Sequence, residues 1–282
     1  MKTIPTIAAL RAELAPHRRA GRTIGLCPTM GYLHVGHMEL VKACKSRCDI
    51  TVVTIFVNPT QFAPNEDLST YPRDLDRDLK MLNAEGADYV FTPSVEEMYP
   101  GNEETIVETT KLSKVLMGKI RPGHFRGVAT VCTKLFNIAQ PDEVFFGEKD
   151  FQQVAVIKRM VADLNLPVTV VAVPTMREMD GLACSSRNVR LTTEDRAAAP
   201  VLNRALIRAQ ELMLLGERSV SSIRQSVLSM LASEPRGEVE AVDIRDAATL
   251  NKIAGKITAP AVVLLTVKFG KVRLIDNRVI RP

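Results

Sequence analysis

The amino-acid sequence predicts an α/β protein, in which helices cover both faces of a parallel sheet and a smaller α+β domain follows. The first supporting observation is a series of five short apolar segments rich in β-branched or aromatic residues. The second is that stretches with helical periodicity separate these segments. The third is that this alternation stops in the last third of the chain, where two helical stretches precede three strand-like ones.

Strands and helices alternate in the first part of the chain. Near-continuous apolar runs are typical of strands in a doubly wound parallel sheet, and they occupy residues 23–28, 49–57, 88–93, 143–148 and 167–174. Helical patterns cover residues 37–48, 74–85, 126–139 and 150–164. Ligands of such sheets bind beyond the carboxyl ends of the strands, so we expect the functional site there.

The second part of the chain follows the segment "VPTMREMDGLACSSRNVRLT". Its helical patterns cover residues 193–215 and 219–233, and its strand-like segments cover residues 238–247, 261–267 and 272–277. Helices followed by strands indicate a separate α+β domain. We place the boundary near residues 175–185, which divides residues 1–177 from residues 178–282.

Composition excludes several classes of protein. The chain has 282 residues, of which 46% are apolar and 24% charged, as in ordinary globular proteins. Its apolar runs are much shorter than the roughly 18 residues of a membrane span, and its N-terminus has no apolar signal core. The net charge of +5 is spread over interspersed residues, which favours an ordinary solvated surface, with room for a basic pocket that binds an anionic substrate, over a nucleic-acid surface. The five scattered cysteines favour reduced thiols in the cytoplasm.

The stretch "PTMGYLHVGH" contains two of the four histidines, His34 and His37, directly after a predicted strand. Zinc binding with Cys44 and Cys48 is disfavoured, because seven helical residues between His37 and Cys44 span about 10.5 Å. Local packing or capping by the two rings is a second interpretation. Phosphate binding is the third, since a helix N-terminus offers unpaired N–H groups and imidazoles add directional donors. Neither a P-loop nor a G-x-G-x-x-G motif occurs in the chain.

The motif "HVGH" is similar to the His-x-Gly-His signature of the nucleotidylyltransferase superfamily. Four further segments follow it in order, "FVNPTQF" (56–62), "RPGHFRGV" (121–128), "GEKDFQQ" (147–153) and "DGLACSSRN" (180–188). With the C-terminal "IRDAATL" and "RLIDN", they make nearly the whole chain resemble the pantothenate synthetase (pantoate–β-alanine ligase) family. The resemblance implies a Rossmann-like sheet, an adenylate intermediate and a cytoplasmic homodimer. One departure is Cys184, where the family pattern has Met or Leu.

The resemblance also implies roles for individual residues. The catalytic residues would be His34, His37 and Lys149. β-Alanine would contact Asn58 and Gln61, and pantoate would contact Met30, Gln61 and Gln153. The ATP-binding residues would be Met30, Gly31, His34, Gly36, His37, Gly147, Lys149, Asp150, Met176, Ser185, Ser186 and Arg187. Mg²⁺ is expected with ATP, and no residue is assigned as its ligand.

Several residues keep two interpretations at this point. Gln61 is either a turn residue or a neutral amide that binds pantoate without lowering its nucleophilicity. Asp150 either caps a helix or binds the ribose. Arg121, His124 and Arg126 either line the entrance or bind the β-alanine carboxylate, or they tie a loop to the helix over residues 126–139. We expect Asp74, Asp76 and Asp78 to face solvent, and we expect the 180–188 loop to act as a lid.

Two other functions remain as alternatives. One is a nucleotidylyltransferase that keeps the nucleotide in its product, which release of AMP would argue against. The other is a non-catalytic nucleotide- or RNA-binding protein, which the aromatic content of 5% and the absence of Trp disfavour.

Overall fold

The computed structural model describes residues 1–64, 66 and 68–282. These residues form two compact units, each with its own core. The first comprises Met1–Glu148 and Gln152–Pro174, and the second comprises Lys149–Phe151 and Thr175–Pro282. The short segment Lys149–Phe151 therefore groups with the C-terminal residues, which the sequence did not indicate.

The first unit contains a six-stranded sheet with every strand parallel, in the order β1-β4-β3-β2-β5-β6. This confirms the predicted parallel α/β sheet. β1 was not predicted, because a strand of three residues gives no readable pattern. The strands are β1 (Lys2–Ile4), β2 (Ile24–Thr29), β3 (Ile50–Ile55), β4 (Tyr89–Phe91), β5 (Glu143–Gly147) and β6 (Thr169–Val173).

Helices cover both faces of this sheet. Leu26 and Val52 face one apolar cluster, and the next residues along each strand, Cys27 and Val53, face another. This alternation follows from the two-residue period of a strand. The helices are α1 (Ile7–Arg19), α2 (Val35–Lys45), α3 (Leu75–Glu85), α4 (Val95–Met98), α5 (Met117–Ile120), α6 (His124–Ala139) and α7 (Phe151–Asp163).

The second unit packs three helices against an antiparallel sheet with the strand order β7-β8-β9. One helix predicted over residues 193–215 is divided into two, because Pro200 lacks the N–H that a continuous helix needs. The elements are α8 (Thr193–Ala198), α9 (Val201–Leu214), α10 (Val220–Ala232), β7 (Gly237–Asp246), β8 (Ala261–Phe269) and β9 (Val272–Ile280). Among the described residues, no helix combines the length and apolar character needed to cross a bilayer.

Candidate active site

The predicted site residues of the first unit lie at one edge of the parallel sheet. Met30–His37 follow β2, Asn58–Gln61 follow β3, and Gly147 ends β5. β2 lies between β3 and β5. After β2 the chain adds β3 on one side of it and later adds β5 on its other side. Such a change in strand order opens a crevice at the carboxyl ends of the strands.

The two histidines cap the helix that they begin. His34 is the N-cap of α2, and its Nδ1 accepts the Gly36 N–H at 3.1 Å. The His37 Nδ1 in turn accepts the His34 N–H at 3.2 Å, and the ring centroids are 4.0 Å apart. An Nδ1 that accepts a hydrogen bond carries no proton, so each neutral ring has its proton on Nε2. The Nε2–H of each ring, at the N-terminus of α2, is the donor that the phosphate interpretation assigns to it.

The loop before His34 is held by a buried carboxylate, that of Asp78. Its two oxygens accept the N–H groups of Tyr32 and Leu33, each at 2.7 Å, and the residue is 1% exposed. The expectation that Asp78 faces solvent was therefore wrong, whereas Asp76 is exposed and Asp74 caps α3. Burial raises the pKa of Asp78 above its ordinary value, and the two backbone N–H bonds offset part of this effect.

The sequence did carry a signal for Asp78. It stands four residues before Leu82, which is fully buried, and residues four apart share a helix face. A carboxylate on an apolar face is buried only when it has partners. The partners here are backbone N–H groups, which the sequence pattern does not mark. Gly31 supports the same loop with φ +80°, where a Cβ would lie 3.0 Å from the Ile55 Cγ2.

The structure brings Met30, Asn58 and Gln61 together. The Gln61 Nε2 lies 3.0 Å from the Met30 Sδ, and the Gln61 Oε1 accepts the Asn58 Nδ2 at 3.1 Å. Asn58 also donates to the Gly127 carbonyl at 3.2 Å and accepts the Tyr99 hydroxyl at 2.9 Å. Both amide hydrogens of Asn58 are thus used inside the protein, and the residue is 1% exposed.

The motif "RPGHFRGV" contains Arg121, His124 and Arg126, and the first two tie the Gln61 loop to the start of α6. The Arg121 guanidinium makes two bonds to Glu66, at 2.7 and 2.6 Å, and the His124 Nδ1 lies 2.8 Å from the Gln61 carbonyl oxygen. Burial raises the pKa of Glu66, but the hydrogen bonds and charge of Arg121 outweigh it, so the pKa lies below its ordinary value. Arg126 is exposed.

Two adjacent glutamines on α7 have different surroundings. Gln152 is buried, and its side chain bonds Met117 N–H and the carbonyls of Leu112 and Val115 at 2.8 to 3.0 Å. Gln153 is half-buried, and no side-chain hydrogen bond within the described ranges holds it. Of these two glutamines, Gln153 is therefore the one whose amide is available to a ligand.

The remaining predicted residues belong to the second unit. Lys149 and Asp150 end a 3-10 turn, with the Lys149 Nζ 3.9 Å from an Asp150 oxygen. Ser185, Ser186 and Arg187 are half-buried and follow a hairpin closed by the Cys184 N–H and the Met176 carbonyl at 2.9 Å. Met176 is exposed.

The cysteines are part of the core. Cys44 and Cys48 pack with Cys27 in one apolar cluster, and burial raises the pKa of Cys48 to about 12. Burial also raises the pKa of Cys184, which lowers its reactivity towards oxidants. Within the part of the chain that the structure describes, no three His, Cys, Asp or Glu side chains are grouped to hold a metal ion.

Comparison with known proteins gives consistent matches. The family model described as Pantoate-beta-alanine ligase matches residues 2–279. The pantothenate synthetase of Rhizobium meliloti (strain 1021) is 56% identical over 282 residues, covering 100% of this chain and 97% of the relative. The crystal structure of pantothenate synthetase from Thermus thermophilus is similar with a TM-score of 0.95 and 44% identity, and it covers 100% of both chains.

A third similar protein was solved with ligands. It is the pantoate-beta-alanine ligase of Francisella tularensis, whose structure is a complex with beta-gamma ATP and beta-alanine. Its TM-score is 0.79 and its identity 33%, covering 99% of this chain and 97% of that one.

Proposed function

The chain belongs to the pantoate–β-alanine ligase family, and from this premise we propose how its residues divide the ligase reaction. In the first step a pantoate carboxylate oxygen attacks the α-phosphorus of ATP, and pyrophosphate leaves. In the second step the amine of β-alanine attacks the acyl carbon of pantoyl adenylate, and AMP leaves. The observation that carries the proposal is the histidine pair that caps α2 at the carboxyl end of β2.

His34 and His37 donate Nε2–H bonds to the phosphate oxygens of ATP. Charge on these oxygens rises as the leaving group departs, so donors fixed in advance stabilise the transition state more than the ground state. The mutual cap fixes both rings before ATP binds. Asp78 supports this arrangement by holding the backbone of Tyr32 and Leu33.

Gln61 and Gln153 bind pantoate, and Met30 packs against it. A neutral amide holds a carboxylate without the strong ion pair that an arginine forms, so the carboxylate stays nucleophilic. Gln61 also contacts β-alanine. For Asn58 we propose a supporting part in β-alanine binding, because its amide hydrogens already bond Gln61 and Gly127.

The second unit supplies contacts to ATP and its departing pyrophosphate. Lys149 provides a flexible positive charge, and Ser185, Ser186 and Arg187 provide hydroxyl and guanidinium donors. Gly147, Asp150 and Met176 complete the predicted nucleotide contacts, together with Gly31 and Gly36. Mg²⁺ arrives bound to the phosphates of ATP and is part of the substrate. Residues 1–177 act as the catalytic domain and residues 178–282 as a lid.

We also propose that the enzyme is a cytoplasmic homodimer. The family supports the dimer, and five free, buried cysteines suit a reducing compartment.

The decisive experiment measures exchange of labelled pyrophosphate into ATP. ATP, Mg²⁺ and pantoate should support exchange without β-alanine, because the adenylate forms before the amine reacts. Adding β-alanine should then release AMP in equal amount with pantothenate. Exchange that requires β-alanine would contradict a free adenylate, and ADP as product would place the attack at the γ-phosphate.

A further inference from the structure

The C-terminal motif "RLIDN" contains two buried polar residues that none of the roles above explains. Asp276 is 2% exposed and Asn277 is 7% exposed, and both lie on β9. Burying a carboxylate or an amide costs free energy unless partners compensate it. The Asp276 Oδ1 accepts the Asn277 N–H at 2.8 Å within β9. The other partners shown for the two side chains, Arg177 and Lys149, lie outside the sheet and far away in the chain.

Asn277 contacts the Lys149 segment, which we define as Lys149–Phe151. Its Nδ2 donates to the Lys149 carbonyl oxygen at 2.8 Å, across 128 residues of chain. The bond restrains the backbone from which the Lys149 side chain extends. Lys149–Phe151 group with the second unit, so this contact lies inside that unit.

Asp276 contacts a second segment, the hairpin of residues 176–184. Its carboxylate accepts two bonds from the Arg177 guanidinium, at 2.7 and 2.9 Å, and the same guanidinium donates to the Gly181 carbonyl at 3.1 Å. Arg177 and Ala183 also form a backbone bridge. The hairpin therefore has a fixed base, directly before Ser185.

Successive side chains of a strand point to opposite faces. Two neighbouring residues of β9 thus hold two different segments, and each segment carries residues to which the proposed function gives phosphate contacts. An apolar pair on β9 would stabilise the sheet at lower cost, whereas only polar groups fix a carbonyl and a guanidinium at set positions.

We propose that Asp276 and Asn277 are positioning residues for the phosphate contacts. Asn277 orients Lys149, and Asp276 orients the hairpin that presents Ser185, Ser186 and Arg187. This inference rests on the proposed function. It adds to that function a pair of residues that act on ATP through others and touch no substrate.

The test is a double-mutant cycle of Asn277→Ala with Lys149→Ala. Asn277→Ala alone should lower pantoate-dependent pyrophosphate exchange about fivefold and weaken ATP binding, with the KM for pantoate unchanged. In the Lys149→Ala background it should have no further effect, because the group that it positions is gone. If Asn277→Ala acts through a general loss of structure, its fold-loss in exchange rate would multiply with that of Lys149→Ala, and that result would overturn the inference.

A second cycle pairs Asp276→Asn with Arg187→Ala and should show the same non-additivity. Glu240→Gln is the matched control, since it breaks an Arg273–carboxylate pair that joins β7 and β9 of the same sheet. It should leave exchange unchanged. If Asp276→Asn does not fold, the Asn277 cycle decides alone.

Calorimetric titration with ATP gives the same cycle without turnover. A wild-type protein that binds ATP but shows no exchange would contradict the proposed function, while the binding cycle would still test the positioning pair. Additive effects of the two substitutions on ATP affinity would contradict the positioning role of Asp276 and Asn277 and would leave the proposed function untouched.

Discussion

The His34–His37 loop and the Ser185–Arg187 loop share a proposed task, contact with phosphate, but different forces hold them. The first is fixed by backbone N–H groups that donate to Asp78 and to the two imidazoles. The second follows a hairpin held by ion pairs, in which Arg196 binds Glu178 and Asp180 and Arg177 binds Asp276.

Because different interactions hold the two loops, the loops should differ in their sensitivity to salt. Hydrogen bonds to backbone N–H groups at a buried loop respond little to salt, whereas the partly exposed pairs of Arg196 with Glu178 and Asp180 weaken as salt screens them. The Arg177–Asp276 pair is largely buried and is screened less. Changes in the histidine loop should therefore act on the chemical step. Changes around the hairpin should act mainly on ATP binding and on its dependence on salt and pH.

The largest effect is expected for His37→Ala. Loss of its donor should lower the exchange rate by about 10²–10³-fold, while loss of its cap bond costs the fold about 1 kcal/mol. Exchange kinetics and thermal unfolding measure the two effects. His17→Ala is the matched control. His17 lies on α1 and its ring bonds the Tyr89 hydroxyl on β4, so its replacement should leave exchange intact. A folded His37→Ala protein with an unchanged rate would remove His37 from the mechanism.

A smaller effect is expected for Asp78→Asn. An amide has one acceptor oxygen, so one of the Tyr32 and Leu33 N–H groups would face an NH₂ group and lose its bond. We expect kcat to fall about 10- to 100-fold, as an unsatisfied buried donor predicts. Asp76→Asn, on the exposed face of the same helix, should have no effect. Equal loss in both variants would show that only the charge of α3 matters.

The neighbouring glutamines should separate binding from stability. Gln153→Ala should raise the KM for pantoate about tenfold and leave unfolding unchanged, and Gln61→Ala should act in the same direction. Gln152→Ala leaves the Met117 N–H and the Leu112 carbonyl without the partner that Gln152 provides, whereas the Val115 carbonyl keeps the Gly118 N–H. It should lower the free energy of unfolding by about 2–4 kcal/mol. ATP titration should show little change for Gln61→Ala and Gln153→Ala. Loss of ATP affinity instead would place the pantoate pocket elsewhere.

The smallest effect concerns Arg196 and Asp180. The Arg196 bond, opposed by burial, lowers the pKa of Asp180 below its ordinary 3.8. A lowered pKa stabilises the fold above pH 3.8, and this contribution is lost as the pH falls through the lowered value. Urea unfolding of Asp180→Asn should therefore differ from wild type by under about 1 kcal/mol near neutral pH. The difference should vanish in acid, and a constant difference would contradict the ion-pair explanation.

The fold could be predicted where the pattern is local. Apolar strands alternating with helical stretches indicated the parallel sheet, and the motifs placed His34, His37 and Gln61 at strand ends. Three features could not be predicted, because the sequence pattern around them does not show what causes them. β1 is too short, Asp78 needs the distant N–H groups of Tyr32 and Leu33, and Asn277 contacts a carbonyl 128 residues earlier. Gln152 and Gln153 are identical in type, and only burial distinguishes them.

The histidine cap of α2 links chemistry to hydrogen exchange. Protonating either Nδ1 would turn an acceptor into a second donor facing a backbone N–H, so the N–H groups of His34 and Gly36 would lose protection. Relative to their intrinsic exchange rates, these two amides would then exchange faster as the rings become cations. The exchange of these two amides, measured by NMR, would therefore report the charge state of the proposed catalytic pair without any substrate present.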